Sequence, residues 1–274
     1  AASDVYKRQS LDRIRLIPRG VDLSEYEFIL PSKKDWKHPV FAIIARLTPI
    51  KGHIDFIKAF REVLMASPFA KAWIIGEPSP GKEGYLKELE VLIKRFGLEN
   101  TVDFLGVRYD IPKLLKKIHV LVQPSRIPES FGRVVIEAQA SGVPVVASDL
   151  GGYKEIIEDN KTGHLVPAQD VKSISKAMIK IVKNSDSYDQ VALAAREKVE
   201  RLYSLDKVHQ SVLSVYQESL TMLTILIIKF AALGDAILSI PGIRALRHKF
   251  PNAKICLLTT YVTADIFKNC PYID

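Results

Sequence analysis

Val40-Phe41-Ala42-Ile43-Ile44-Ala45, then Arg46-Leu47-Thr48-Pro49-Ile50-Lys51-Gly52, then a helical pattern over Ile54–Met65: this stretch decides the fold. An apolar run without in/out alternation suits a strand covered on both faces, as in a parallel sheet between helix layers. The same unit recurs along the chain. Ala72–Ile75, Val102–Phe104, Val120–Val122 and Pro144–Ala147 are further apolar runs, interleaved with helical patterns over Tyr85–Phe96, Ile111–Lys117 and Val134–Ser141. Repeated strand–helix alternation predicts an α/β domain built on a Rossmann-like, doubly wound parallel sheet. Right-handed crossovers then bring the carboxyl ends of the strands to one edge, where ligands bind.

After residue 170 the pattern becomes helical, over Val171–Lys183, Tyr188–Tyr203 and Leu205–Leu220, and then restarts. Thr224–Ile228 reads as a new buried strand, Gly234–Phe250 as a helix and Lys254–Leu258 as another strand. The expected organisation is an extraneous leader over residues 1–9, one domain over 10–220, and a truncated fragment of a second Rossmann-like unit over 221–274. A fragment of that size buries too little surface to be stable alone.

The 274 residues are 47% hydrophobic and 26% charged, an ordinary soluble composition. The net charge of +8, scattered in pairs such as Lys33-Lys34 and Lys116-Lys117, favours anionic partners. These include a nucleoside diphosphate, an anionic membrane surface or nucleic acid. A nucleic-acid binder would carry a basic stripe interleaved with aromatics, and none is present, so no nucleic acid is expected. Cys256 and Cys270 are the only cysteines, too few for a disulfide framework or a metal cage. They read as reduced thiols of a cytoplasmic protein. The apolar run Met222–Ile228 stops at Lys229, far short of the roughly 20 residues of a membrane span. No signal peptide is recognisable.

Two segments carry candidate chemistry. Arg46 and Lys51 place two cations at the carboxyl end of a strand, where a diphosphate would meet a bidentate fork and a point charge. No glycine run precedes Lys51 and no Ser or Thr follows Gly52, so this is not a Walker A loop. The second segment is Pro128-Glu129-Ser130-Phe131-Gly132-Arg133-Val134-Val135-Ile136-Glu137-Ala138, a loop leading into a helix. Gly132 lets a ligand approach the backbone, and the first helical turn offers free N–H groups to a phosphate. Glu137 is within reach of a ribose diol, and Glu129 of sugar hydroxyls. On spacing alone, Glu129 is equally a loop charge and Glu137 a solvated helix residue. The six histidines show no ligand spacing. His53 and His119 read as structural residues, and Gly151-Gly152 as a tight turn.

Taken together, these segments resemble the C-terminal domain of family 4 (group 1) glycosyltransferases. Ile17-Pro18-Arg19-Gly20-Val21-Asp22 is similar to the family's Pro-Asn-Gly-Val-Asp turn, with Arg19 in place of Asn. Gly142-Val143-Pro144-Val145-Val146-Ala147-Ser148 and Thr162-Gly163-His164-Leu165-Val166 also resemble family segments. The resemblance, over residues 12–220, implies the donor-binding half of a GT-B fold. It implies that Arg46 and Lys51 neutralise the donor diphosphate and that Glu137 binds the ribose. Glu129 would bind the transferred sugar, and backbone N–H groups around Phe131 and Gly132 would meet sugar and phosphate. The implied reaction is retaining transfer from a nucleoside-diphosphate sugar to a glycan or lipid-linked acceptor, with electrostatic stabilisation of the leaving group. No Asp-x-Asp pair occurs, so neither metal nor other cofactor is expected.

Ile225-Leu226-Ile227-Ile228-Lys229-Phe230-Ala231-Ala232-Leu233-Gly234-Asp235-Ala236-Ile237-Leu238-Ser239-Ile240-Pro241 resembles the opening of family 9 lipopolysaccharide heptosyltransferases, as does Arg244-Ala245-Leu246-Arg247. That family would make Asp235 a candidate general base, while as a bare motif it is a good first-turn residue. Met222 stands where such a protein would begin, which suggests a fusion or two reading frames joined. The two resemblances point to lipopolysaccharide or other envelope polysaccharide synthesis at the inner face of the cytoplasmic membrane, with peripheral membrane association. The acceptor domain of a GT-B enzyme is missing before residue 10, so the isolated chain is expected to bind donor without transferring it. The alternative is a non-catalytic nucleotide-sugar-binding or assembly module.

Overall fold

The computed structural model describes residues 16–221, 224–229, 233–259 and 261–274. Six strands form one all-parallel sheet: β1 (Val40–Ile44), β2 (Lys71–Ile75), β3 (Val102–Gly106), β4 (Val120–Gln123), β5 (Val145–Ser148) and β6 (His164–Val166), in the order β3-β2-β1-β4-β5-β6. The helices are α1 (His53–Ala66), α2 (Gly84–Arg95), α3 (Ile111–Lys117), α4 (Arg133–Ala140), α5 (Tyr153–Ile156), α6 (Val171–Lys183), α7 (Tyr188–Leu202) and α8 (Leu205–Thr221).

The uninterrupted apolar character of β1 is explained by its two faces. Phe41 and Ile43 pack with Phe56 and Phe60 of α1, Leu89 of α2 and Ile174 and Met178 of α6. Ala42 packs on the other side with Leu115 of α3, Val135 and Ile136 of α4 and Val199 of α7. A large side chain fully buried in this way contributes about 1.5–3 kcal/mol by leaving water. Thr224–Ile228, expected as a buried strand, leaves Leu226 59% and Ile228 58% exposed, and two features of the six-stranded sheet also differ from the sequence expectation. Strand β5 begins at Val145, because Pro144 has no N–H to donate; its carbonyl still accepts from the Leu121 amide at 2.9 Å. Strand β6 is only three residues long, too short to show a period.

The strand order reverses between β1 and β4, whose successors run to opposite sides. A crevice therefore opens beyond Ile44 and Gln123, where ligands bind in such sheets. The Gln123 side-chain amide donates to the Ile44 carbonyl at 3.3 Å, tying the two strand ends together.

The chain gathers into two compact units, Pro18–Val208 and one that takes in His209–Asp274. In the latter, β7 (Thr224–Lys229) pairs in parallel with β8 (Lys254–Thr259), joined by α9 (Leu233–Lys249) and followed by α10 (Tyr261–Phe267). Ile243 and Phe267 centre a small core with Ile227 and Leu257. The leader over residues 1–9 and Met222 lie outside the described residues.

Candidate functional site

The loop after β1 is fixed by its backbone. The Ala45 amide donates to Ile75 and the Leu47 amide to Glu77, each at 3.0 Å, so exposed Arg46 stands on a continuation of the sheet. Gly76 allows this: at φ 135° a Cβ there would lie 2.1 Å from the Ala45 carbonyl oxygen. A 3-10 turn over Pro49–Lys51 presents Lys51, and Gly52, at φ 77°, turns the chain into α1. A Cβ on Gly52 would lie 1.9 Å from the Pro124 carbonyl oxygen. The loops after β1 and β4 thus touch across the crevice.

The β4 loop is then stapled to α1. The Arg126 amide donates to the Ile50 carbonyl at 2.8 Å, and its guanidinium forks onto buried Asp55 at 2.7 and 2.8 Å. This brings Glu129 to Lys51, with which it forms an ion pair. The buried Ser125 hydroxyl donates to Glu129 Oε1 at 2.8 Å and lies 3.4 Å from the Tyr153 hydroxyl. The Gly151-Gly152 turn presses on this loop: Gly152 N–H donates to the Glu129 carbonyl at 2.8 Å, and a Cβ on Gly152 would lie 2.4 Å from Phe131 O.

Gly132, at φ 109°, opens α4, and the Phe131 ring meets Tyr203 edge-on at 5.8 Å. Glu137 is not solvated, as its bare spacing would allow. It is 7% exposed, accepts from Arg133 Nε at 2.8 Å and faces the Tyr26 hydroxyl. Burial pushes its carboxyl above the ordinary value, against the lowering by Arg133. A cavity of about 920 Å³ opens beside it, lined on the far side by the β3–α3 loop and the start of α3. Its volume suits a small-molecule ligand. Lys51 and Glu129 are not among its lining residues. The site therefore has two parts, a charged pair at the strand-loop junction and a cavity around Glu137.

Several residues here were not singled out by sequence: Tyr26, Arg108, Asp110, Ser125, Arg126 and Arg133. Tyr26 and Arg126 act through tertiary contacts, to Glu137 and Asp55, while Arg108–Asp110, Ser125–Glu129 and Arg133–Glu137 are short-range pairs whose place at the site only the fold reveals. His53 is wholly buried beneath the β1 loop, its ring edge-on to Tyr85 at 5.9 Å, and burial lowers it to about 4. Neither ring nitrogen has a hydrogen-bond partner within ordinary geometry, although both Thr48 and Ala45 carbonyls are near enough to favour its charged form slightly. His119 is a strut, its Nδ1 accepting from the Val40 amide at 3.1 Å and its Nε2 3.0 Å from the Asp35 carbonyl. Asp235 falls in the first turn of α9, and its side chain lies outside the described residues. Among the described residues, no three His, Cys, Asp or Glu side chains are grouped to hold a metal. No helix among them is long and apolar enough to cross a membrane.

A family model described as glycosyl transferases group 1 matches residues 27–198. The crystal structure of Anabaena HepE in complex with UDP and glucose superposes with a TM-score of 0.70 at 27% identity, over 79% of this chain and 60% of that one. The C-terminal domain of the Francisella tularensis group 1 glycosyl transferase LpcC is covered over 100% of its length by 68% of this chain, at 29% identity and a TM-score of 0.60. Among curated proteins, the GDP-mannose-dependent monoacylated alpha-(1-6)-phosphatidylinositol monomannoside mannosyltransferase of Corynebacterium glutamicum is 29% identical over 218 residues, 73% of this chain and 55% of that protein. The chain spans about half the length, or less, of the curated relatives it matches. The architecture is the α/β, Rossmann-like one of a GT-B half, with a smaller second sheet.

Proposed function

The chain belongs to the group 1 glycosyl transferases, and on that premise we propose that Pro18–Val208 binds the nucleoside-diphosphate sugar of a retaining sugar transfer. The observation that carries this reading is the buried carboxylate of Glu137 on a cavity at the carboxyl edge of the sheet, beside the cationic β1 loop. The nucleoside lies in the cavity with its ribose diol donating to Glu137. The diphosphate reaches towards the start of α4, where Arg46 and Lys51 meet its charge. Glu129, freed from Lys51, accepts from hydroxyls of the transferred sugar. These groups stabilise the departing diphosphate, and their contribution is electrostatic.

Relatives named for UDP and for GDP-mannose make both nucleotides natural probes. Envelope polysaccharide synthesis, with a glycan or lipid-linked acceptor, is the setting the family resemblance favours. For the second unit we propose kinship with the family 9 heptosyltransferases, on the sequence around Gly234-Asp235 alone. Calorimetric titration of the 274-residue chain with UDP, GDP and ADP tests the donor reading. One nucleotide binds, and Lys51→Ala weakens it by about 10- to 100-fold, the range of a lost charge-assisted hydrogen bond. Equal binding by wild type and Lys51→Ala would place the diphosphate elsewhere. A non-catalytic binding module would show the same titration, and would give no transfer even when supplied with an acceptor domain.

A further inference from the structure

We propose that Tyr153 is a positioning residue for Glu129: through the Ser125 hydroxyl it holds the carboxylate in place when Lys51 leaves it for the donor diphosphate. The inference rests on the donor-site reading and deepens it, by naming what keeps the sugar-binding group oriented.

Lys51 and Ser125 both meet Glu129 at Oε1, the lysine in an ion pair and the hydroxyl as a donor at 2.8 Å. Oε2 is therefore the oxygen left to a sugar hydroxyl. In the proposed function the diphosphate draws Lys51 away, and a carboxylate that loses its cation gains rotamer freedom. Ser125 then holds Oε1 alone. A serine hydroxyl has one proton and two lone pairs, and here the proton is committed to Glu129. Whatever fixes Ser125 must itself be a donor.

Tyr153 is that donor. It is 2% exposed, and its hydroxyl lies 3.4 Å from Ser125 Oγ. Burial pushes the phenol well above its ordinary value, so it keeps its proton. The bonds run in one direction, from the Tyr153 hydroxyl to Ser125 Oγ and from the Ser125 hydroxyl to Glu129 Oε1, and each polarises the next. The first is long for a bond between hydroxyls, and bonds of this kind tighten when a ligand takes its place.

The chain around Tyr153 aims it. Gly151, Gly152 and Tyr153 are consecutive, and all three press on the segment that carries Glu129. A Cβ on Gly151 would lie 2.4 Å from the Glu129 carbonyl oxygen, and Gly152 N–H donates to the same oxygen at 2.8 Å. The Tyr153 ring packs against Gly132, where an added Cβ would lie 2.8 Å from its Cδ1 and Cε1. The turn thus fixes the backbone of Glu129 and, through the tyrosine, its side chain. Phenylalanine at position 153 keeps the packing and loses only the hydroxyl.

Calorimetric titration of the full chain with UDP, UDP-glucose, GDP and GDP-mannose tests this, using wild type, Tyr153→Phe, Ser125→Ala, the double variant and Glu129→Gln. Tyr153→Phe should weaken the nucleotide sugar that binds by about three- to tenfold, the range of one hydrogen bond. It should leave the matching nucleotide within about twofold of wild type, a split that loosened packing would not give. The double variant should bind no more weakly than Ser125→Ala, because the tyrosine acts only through the serine. Nucleotide-sugar binding by Tyr153→Phe within about twofold of wild type would overturn the relay and leave the donor site standing. An equal loss for nucleotide and nucleotide sugar would overturn it too, as would losses that add in the double variant. If Glu129→Gln binds the nucleotide sugar as wild type does, there is no sugar contact to position, and the inference falls. If none of the four compounds binds the folded wild type, the donor reading fails, and this inference fails with it.

Discussion

At the residue scale, the paired state of the site makes a prediction that runs against intuition. Lys51 is held by Glu129, so a diphosphate must take Lys51 away from that carboxylate. Removing the charge of Glu129 frees Lys51 in advance. Glu129→Gln should therefore bind a nucleoside diphosphate about three- to tenfold more tightly, as expected when a partly buried competing pair is lost. The same variant should be impaired with the nucleotide sugar, whose hydroxyls have lost their acceptor. Weaker binding of the bare diphosphate by Glu129→Gln, measured by calorimetry, would show that the pair does not compete with the ligand. The charged residues themselves were legible in the sequence, because Arg46, Lys51, Glu129 and Glu137 stand at strand ends or on the helix that follows. Their pairing was not, since Lys51 and Glu129 are 78 residues apart and meet only through the fold.

At the scale of elements, the site depends on two loops held in contact, and a glycine is the reason they fit. Any side chain at Gly52 collides with the Pro124 carbonyl and also faces a left-handed backbone. Gly52→Ala should cost at least about 2 kcal/mol, combining backbone strain with the displacement of one loop. Gly81 has the same φ of 77° with nothing within 4 Å of an added Cβ, so Gly81→Ala carries the backbone penalty alone, about 1 kcal/mol. Urea unfolding of the two variants separates the terms; equal losses would show that the loop contact is soft. The strand–loop–helix units were readable because β1 to β5 are apolar runs with helices between them. The cavity beside Glu137 was not readable. Its far wall comes from the loop of β3, which carries no motif and reaches Glu137 only because β3, β2, β1 and β4 lie in that spatial order.

For the molecule as a whole, buried histidines set the response to acid. Burial lowers both His53 and His119 to about 4 from an ordinary 6.5. The unfolded chain then takes up protons below pH 6.5 that the folded chain refuses until about pH 4. Stability is fully present above pH 6.5 and falls as the pH drops towards 4. The loss at pH 5 is about 2 kcal/mol for each histidine. Urea midpoints at pH 7 and pH 5 should show this fall, and His119→Asn should reduce it. A midpoint unchanged between the two pH values would mean that these rings are protonated in the folded state.

The central claim, that Glu137 holds the ribose of a donor nucleotide, is tested most directly by comparing UDP with 2′-deoxy-UDP on wild type and Glu137→Gln, or the matching GDP pair if GDP is the ligand. Wild type should prefer the ribonucleotide by about tenfold or more, and Glu137→Gln should lose most of that preference while still binding, a coupling between one side chain and one hydroxyl. The same preference in both proteins would contradict the account, because the hydroxyl would then be read by a different residue.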